Sequence, residues 1–382
     1  MKTLANLNSS ELSPAKNSEL LDLIDCLAAY HSLTEQDLVY LLENRNPYMA
    51  EYLFAKARDI REKYYGRTVF TRGLIEFTNY CRNDCYYCGL RAGNTEADRY
   101  RLTFEEILNC CRQGHELGFR TFVLQGGEDP HFSAGSVARL VEEIRSRYPD
   151  CAVTLSLGEQ PRSVYEQWFK AGAERYLLRH ETRNPDHYAS LHPPKMSLVY
   201  RLSCLEALKD IGYQVGCGFM VGTPGQTVNH LAEDLIYIKQ LGPQMVGIGP
   251  FIPHHQTPLA QEKSGSLELT LFLLGLVRLL IPQILLPSTT ALGTIAPDGR
   301  ELGILAGANV VMPNLSPAGV RKKYLLYDNK ICTGEEAAEC RFCLNMRLEK
   351  IGYQMVTNRG DCIGFNSPAN AAPAGQEASL SC

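Results

Sequence analysis

Three cysteines lie within eight residues of one another, and their spacing is the pattern in this sequence best suited to chemistry: Cys81, Cys85 and Cys88. Thiolates so close together on one loop can converge on a single inorganic centre. A cubane [4Fe-4S] cluster normally takes one thiolate per iron, so three thiolates leave one iron open to a cofactor or substrate. Zinc would need a fourth ligand and more often uses pairs of C-x2-C knuckles. The spacing therefore favours an oxygen-sensitive [4Fe-4S] cluster over a zinc loop or buried structural cysteines.

Short apolar segments alternate with amphipathic ones from residue 73 onwards, and this alternation predicts the strands and helices that position the cysteine loop. Eight strand–helix units in about 240 residues predict an α/β fold of the (β/α)8 TIM-barrel type. An open doubly wound sheet is the alternative, and the lack of a G-x-G-x-x-G turn after the first strand disfavours its dinucleotide-binding form. The predicted strands are residues 73–78, 121–125, 152–156, 175–179, 215–220, 245–249, 284–288 and 309–312.

Further segments flank the predicted barrel. Leu20, Ile24 and Leu27 recur at helical spacing before it, and a segment rich in Ala, Ser, Pro and Gly ends the chain, which is typical of disorder. The predicted organisation is an N-terminal helical extension (1–66), the barrel (67–315), a C-terminal cysteine-bearing extension (316–365) and a disordered tail (366–382).

The composition is that of an ordinary globular protein, with 45% hydrophobic residues and a formal net charge of -4, so no basic face for nucleic acid is indicated. The 14 cysteines follow an N-terminus without an apolar segment of signal-peptide length. We therefore expect a reducing cytoplasm in which thiolates serve as metal ligands. An apolar stretch at residues 269–286 is interrupted by Gly275, Arg278 and Pro282, which favours a buried helix over a membrane span.

The cysteine motif C-x3-C-x2-C, with the aromatic Tyr87 before its last cysteine, resembles the signature of the radical SAM superfamily. The resemblance implies that the amino and carboxylate groups of S-adenosylmethionine (SAM) chelate the open iron. One electron from the reduced cluster then cleaves the sulfonium and gives a 5'-deoxyadenosyl radical. It also implies an electron donor such as ferredoxin or flavodoxin.

The residues that contact SAM are also implied by this resemblance. A GGE-type turn would meet the amino group through backbone carbonyls, and glycine permits that close approach; a plain tight turn is the alternative. For the charged residues the alternative is a structural ion pair, and for the methionine it is core packing. The implied contacts are Gly126, Gly127, Glu128, Ser156, Glu181, Arg201 and Met220.

Five longer motifs, in order along the predicted strands, resemble the HydE family of [FeFe] hydrogenase maturases. This resemblance implies assembly of the di-iron subcluster from a small organometallic or amino-acid-derived substrate. That substrate would be an iron carbonyl–cyanide complex carrying cysteine. A HydG-like maturase would supply it, and a HydF-like maturase would receive the product. The motifs are residues 154–159, 177–182, 222–227, 246–254 and 308–314.

Two further groups of residues are candidates for the interior of the barrel and for a second metal. Tyrosine and threonine hydroxyls can hydrogen-bond an iron complex, although they are also ordinary polar residues of barrels. The pattern C-x7-C-x2-C carries an auxiliary iron–sulfur cluster in some members of the family; empty thiols or adventitious metal are the alternatives. The candidates are Arg179, Thr289, Thr290, Tyr324 and Tyr327 for the substrate, and Cys332, Cys340 and Cys343 for the auxiliary cluster.

Three other functions remain open at this point. A methylornithine synthase (PylB-like) and a biotin synthase relative are radical SAM alternatives. The biotin synthase cluster needs a set of strand cysteines, and only Cys151 and Cys217 stand out here. A non-catalytic iron–sulfur carrier is the alternative of another class, but it has no need of polar residues at the strand ends.

Overall fold

The computed structural model describes residues 14–334 and 337–365. The predicted disordered tail lies outside these residues. Three helices come before the first strand: α1 (Pro14–Tyr30), α2 (Glu35–Glu43) and α3 (Pro47–Tyr65). Thr34 begins α2 through a capping box with Asp37, and the side chain of Asn46 caps α3.

The strands are short and mostly buried, because helices cover the outer face of the sheet. They are β1 (Thr68–Thr71), β2 (Gly73–Thr78), β3 (Thr121–Gly126), β4 (Ala152–Ser156), β5 (Ala173–Leu177), β6 (Gln214–Cys217), β7 (Met220–Val221), β8 (Met245–Val246), β9 (Gly249–Pro250), β10 (Val310–Val311) and β11 (Gln354–Val356). The remaining helices are α4 (Phe104–Glu116), α5 (Ala134–Arg147), α6 (Arg162–Lys170), α7 (Pro185–Leu191), α8 (Leu198–Ile211), α9 (Val228–Leu241), α10 (Leu267–Leu280), α11 (Thr290–Ile295), α12 (Gly299–Leu305), α13 (Ala318–Arg321) and α14 (Ala337–Lys350).

The main sheet closes on itself. Six parallel strands pair in the order β2-β3-β4-β5-β6-β8. Parallel bridges continue the ring from Met245 to Leu285, from Pro287 to Val310, and from Asn314 back to Leu74 on β2. The predicted TIM-type barrel is thereby confirmed, and the open doubly wound sheet is wrong.

Some strand predictions differ from the structure in detail. Residues 73–78 and 152–156 are strands as predicted, whereas the fifth strand is Ala173–Leu177 instead of 175–179. Residues 284–288 form only isolated bridges. Pro287 lacks a backbone N–H and therefore cannot sustain a regular ladder there.

The C-terminal segment covers the end of the barrel opposite the cysteine loop. Strand β11 pairs with β1, which also pairs with β10. Thr121, the first residue of β3, donates to the Arg359 carbonyl at 2.7 Å, and the fully buried Arg175 pairs with Asp361 at 2.7 Å. The carboxyl ends of the strands are thus left for the functional site, as is general in TIM barrels.

The apolar stretch at residues 269–286 begins in α10, where every residue from Thr270 to Leu280 is buried. This matches the prediction of a buried helix. Within the described ranges, no helix has the length and apolarity needed to cross a membrane.

Candidate functional site

The cysteine loop follows β2 at the carboxyl end of the barrel, and hydrogen bonds within the loop fix its shape. All three thiols of Cys81, Cys85 and Cys88 are partly buried. The Cys88 N–H donates to the Cys85 carbonyl at 3.3 Å. The guanidinium of Arg99 donates to the carbonyls of Leu90, at 3.0 Å, and of further loop residues. The loop therefore holds the thiols in place without help from a disulfide.

A neighbouring glycine makes room for this loop. A β-carbon on Gly127 would lie 2.1 Å from the Tyr80 carbonyl oxygen and 2.7 Å from the Cys81 β-carbon. Only glycine lets the end of β3 approach the cysteines so closely. A set of three soft thiolates also matches the ligand preference of iron–sulfur clusters. The residues present therefore fit the predicted cluster.

Burial keeps the thiols protonated in the absence of metal. It raises the pKa of Cys81 and Cys85, and it raises the pKa of Cys88 to about 12. A bound metal takes the place of the thiol proton, so cluster assembly releases protons.

A cavity of about 370 Å³ runs from Cys88 into the barrel. Most of the predicted contacts line it, so the structure brings both predicted ligand groups into one space. Gly127 and Glu128 are the two exceptions among the implied SAM contacts. The predicted residues in the wall are Gly126, Ser156, Glu181, Arg201 and Met220 for SAM, and Arg179, Thr289, Thr290, Tyr324 and Tyr327 for the substrate.

The charged residues among the implied SAM contacts form two ion pairs. Glu181 and Arg201 each pair with another residue and not with one another. Arg179 pairs with Glu181 at 2.6 Å, and Arg201 pairs with Glu159 at 2.8 Å. Burial alone would raise the pKa of Glu181, but Arg179 and Arg201 offset this effect and lower it. Glu181 is therefore ionised and can accept hydrogen bonds from hydroxyl or ammonium groups of a ligand.

Glu159 was not among the contacts predicted from the sequence, although it ends the motif 154–159 and lies three residues after β4. The side chain of Glu128, the third residue of the GGE turn, has a structural role, and the implied backbone contact to SAM stays a prediction. The Glu128 carboxylate accepts from the Glu159 N–H at 2.9 Å and pairs with Arg82 at 2.9 Å. Its side chain thus joins the loops after β3 and β4, and any contact to SAM is left to the backbone of the turn.

A second set of charges, Glu76 and Lys330, lies in the wall of the same cavity. Lys330 donates to Glu76 at 2.6 Å and to the Tyr324 carbonyl at 2.9 Å. Asn314 donates to the second carboxylate oxygen of Glu76 at 2.7 Å. This set was not predicted from the sequence, although a glutamate inside the apolar strand β2 was a signal for it.

One of the three candidate auxiliary cysteines reaches the same cavity. Cys332 lines it and has a positive φ of 61°. Cys343 is exposed on α14. The side chain of Cys340 lies outside the described residues, so an auxiliary cluster stays a prediction.

A buried histidine connects two of the loops around the site, and it makes stability depend on pH. His187 on α7 lies 3.0 Å from Thr223 Oγ1 and 3.3 Å from Thr182 Oγ1. Burial, with a smaller effect of His230, lowers its pKa from 6.5 to about 4. The unfolded chain takes up the proton first, so the contribution of neutral His187 is complete above pH 6.5 and is lost as the pH falls towards 4.

We expect the contribution of His187 to the free energy of unfolding to fall by roughly 2 kcal/mol when the pH is lowered from about 7.5 to about 5. Urea titrations at both pH values measure it. A His187→Gln variant should show a smaller loss over the same interval. An equal loss in the variant would contradict the assignment.

Comparison with known proteins agrees with this geometry. Residues 75–238 match the Radical SAM superfamily. The [FeFe] hydrogenase maturase subunit HydE of Thermotoga maritima is 49% identical over 302 residues, which are 79% of this chain and 86% of that protein. The 3-methylornithine synthase of Methanosarcina barkeri is 30% identical over 79% of this chain and 85% of that protein. The crystal structure of methylornithine synthase (PylB) superimposes with a TM-score of 0.78 at 28% identity, covering 87% of this chain and 97% of that one.

The closed barrel, the cysteine loop and these matches define a radical SAM enzyme, and enzymes of this superfamily use a [4Fe-4S] cluster and SAM. Within that class, the chain belongs to the HydE family of [FeFe] hydrogenase maturases. The family predicted from the sequence motifs is confirmed, and a non-catalytic carrier is wrong. The individual contacts to cluster, SAM and substrate stay predictions.

Proposed function

We propose that this chain converts an iron carbonyl–cyanide complex carrying cysteine into a precursor of the di-iron subcluster of [FeFe] hydrogenase. The observation that carries the proposal is one continuous cavity, whose wall includes Cys88 and Glu181 as well as Thr289 and Tyr324. A volume of about 370 Å³ is in the range of small-molecule sites. A cavity of this size leaves space for a compact iron complex beside SAM.

When bound, the cluster and SAM supply a 5'-deoxyadenosyl radical. The residues of the chain would fix the orientation of the bound ligands and limit the access of water to them. Apolar side chains such as Leu74, Leu178 and Ile252 form much of the cavity wall and offer no hydrogen bonds to a reactive species. Thr289 and Thr290 line the cavity, and their hydroxyls can donate to carbonyl, cyanide or carboxylate groups.

The proposed partners are a HydG-like maturase that supplies the complex, a HydF-like maturase that receives the product, and a ferredoxin or flavodoxin that reduces the cluster. The surface beside the cluster supports the last of these. Met196 Sδ lies 3.7 Å from Cys85 Sγ, and the adjacent Lys195 is exposed. A small acidic carrier would meet the positive charge of Lys195 next to Met196, the residue that contacts Cys85.

The test is to give the anaerobically reconstituted enzyme the HydG product together with SAM and a reductant. Consumption of the complex, with 5'-deoxyadenosine formed in step, is the expected result. Infrared bands of the carbonyl and cyanide ligands follow the complex directly. Unchanged bands, in a sample whose cluster is intact and whose SAM is cleaved, would contradict the proposal.

Methylornithine synthase is the second candidate, because the matched synthase has 30% sequence identity and the PylB structure superimposes closely. A parallel incubation with lysine separates the two functions. Formation of 3-methylornithine from lysine would favour the second candidate over the first.

A further inference from the structure

One cation in the cavity wall has no partner. Arg300, in the first turn of α12, lines the cavity and is only 9% exposed. Its guanidinium makes no hydrogen bond or ion pair with any residue that the structure describes, and its Nε is buried without an acceptor. A buried, uncompensated charge is costly, and proteins usually keep one only where a ligand compensates it.

Every other charged side chain of the described cavity wall is compensated. Arg179 pairs with Glu181, Lys330 pairs with Glu76, and Arg201 pairs with Glu159 just behind the wall. Once these pairs are formed, the positive charge of Arg300 is the one in the described cavity wall that no other side chain compensates. The cavity is therefore prepared for a ligand that brings one net negative charge to this wall.

A second donor without a partner lies on the same wall. Thr289 Oγ1 is buried and has no hydrogen-bond partner among the described residues. The adjacent Ser288 donates to the Arg300 carbonyl at 2.8 Å, which ties the strand end that carries Thr289 to α12. A guanidinium and a hydroxyl donor that line one cavity suit a carboxylate, which can accept from both.

We propose that Arg300, with Thr289, binds the carboxylate of the substrate. On the function proposed above, on which the identity of the ligand rests, this is the carboxylate of the cysteine carried by the iron complex. The substrate then lies with its amino-acid end against α11 and α12, and its remainder faces Cys88 across the cavity. Arg300 thereby becomes a residue that selects anionic substrates.

Binding of two matched probes tests the site. S-Methyl-L-cysteine keeps the carboxylate and has no free thiol to bind iron, and its methyl ester lacks the negative charge. Calorimetric titration of the reconstituted, SAM-bound enzyme should show at least about tenfold preference for the acid. Arg300→Met should weaken binding of the acid by about 10- to 100-fold and leave the ester unchanged. Arg139→Met, which removes an exposed arginine on α5, is the matched control and should bind both probes as the parent enzyme does.

The melting temperature distinguishes a ligand site from a structural role. Replacing an uncompensated buried charge by an apolar side chain of similar length should leave the melting temperature of Arg300→Met equal or higher. A lower melting temperature together with an unchanged preference for the acid would overturn the proposal. So would a parent enzyme that binds acid and ester equally.

Turnover of the iron complex separates this proposal from the function on which it rests. If parent enzyme and Arg300→Met convert the complex equally well, the carboxylate site is wrong and the function stands. If the acid preference depends on Arg300 but the parent enzyme leaves the complex unchanged, the function is wrong and the carboxylate site stands.

Discussion

Replacing Cys85 by serine is expected to reduce formation of 5'-deoxyadenosine to background while the chain stays folded. Cys85 is the central member of the three-thiol set, and with two thiols a cubane loses one more iron ligand. A serine hydroxyl is a hard donor and stays protonated near neutral pH, so it does not replace the soft thiolate. The thiol lies 3.7 Å from Met196 Sδ, and serine differs from cysteine by a single atom, so the substitution should leave the fold intact.

The measurement is anaerobic reconstitution followed by dithionite and SAM, with iron content, electron paramagnetic resonance and 5'-deoxyadenosine recorded on the same sample. Cys26→Ser is the matched control, because Cys26 is an exposed cysteine on α1, far along the chain from the loop. It should keep the cluster and the cleavage activity. Full cleavage by Cys85→Ser, with a folded circular dichroism spectrum, would show that the cluster is held elsewhere.

The sequence was sufficient for the parts of the molecule that depend on local patterns. The cysteine loop is a short motif, and β2 and β4 are bounded apolar segments, so each is visible without knowledge of the rest of the chain. Closure of the barrel followed from the number of strand–helix units. Strand β11 was missed because it has only three residues and is stabilised by pairing with β1, more than 280 positions away in the chain.

Charge pairing in the site was the part that the sequence did not reveal. Lys330 and Glu76 are separated by 254 residues, and no periodic pattern connects them. Arg201 was predicted near SAM, but the acid that compensates it, Glu159, depends on how α8 packs against the end of β4. An unpartnered residue such as Arg300 is recognised only after every neighbour has been placed. Local propensity predicts elements, whereas compensation of buried charge is a property of the assembled barrel.

Replacing Arg201 by methionine is expected to weaken SAM binding by about 30-fold or more, because truncating one partner of a buried charge pair typically costs about 2–5 kcal/mol. Arg201 does more than pair with Glu159 at 2.8 Å. Its Nη1 donates to the Arg179 carbonyl at 3.1 Å, which orients the strand end that carries Glu181. Burial already raises the pKa of Glu159, and without Arg201 that acid should take up a proton. Both effects remove preorganised charge from the SAM end of the cavity.

Steady-state cleavage of SAM, with the cluster quantified in each sample, measures the effect as a rise in KM. Arg183→Met removes an exposed guanidinium from the loop that carries Glu181 and should leave the KM unchanged. A double-mutant cycle with Glu159→Gln adds a sharper test. Because the glutamine leaves no unpaired acid, Arg201→Met should cost less in that background than in the parent enzyme. Equal costs in both backgrounds would mean that Arg201 acts on SAM directly and independently of Glu159, and an unchanged KM would remove Arg201 from the site altogether.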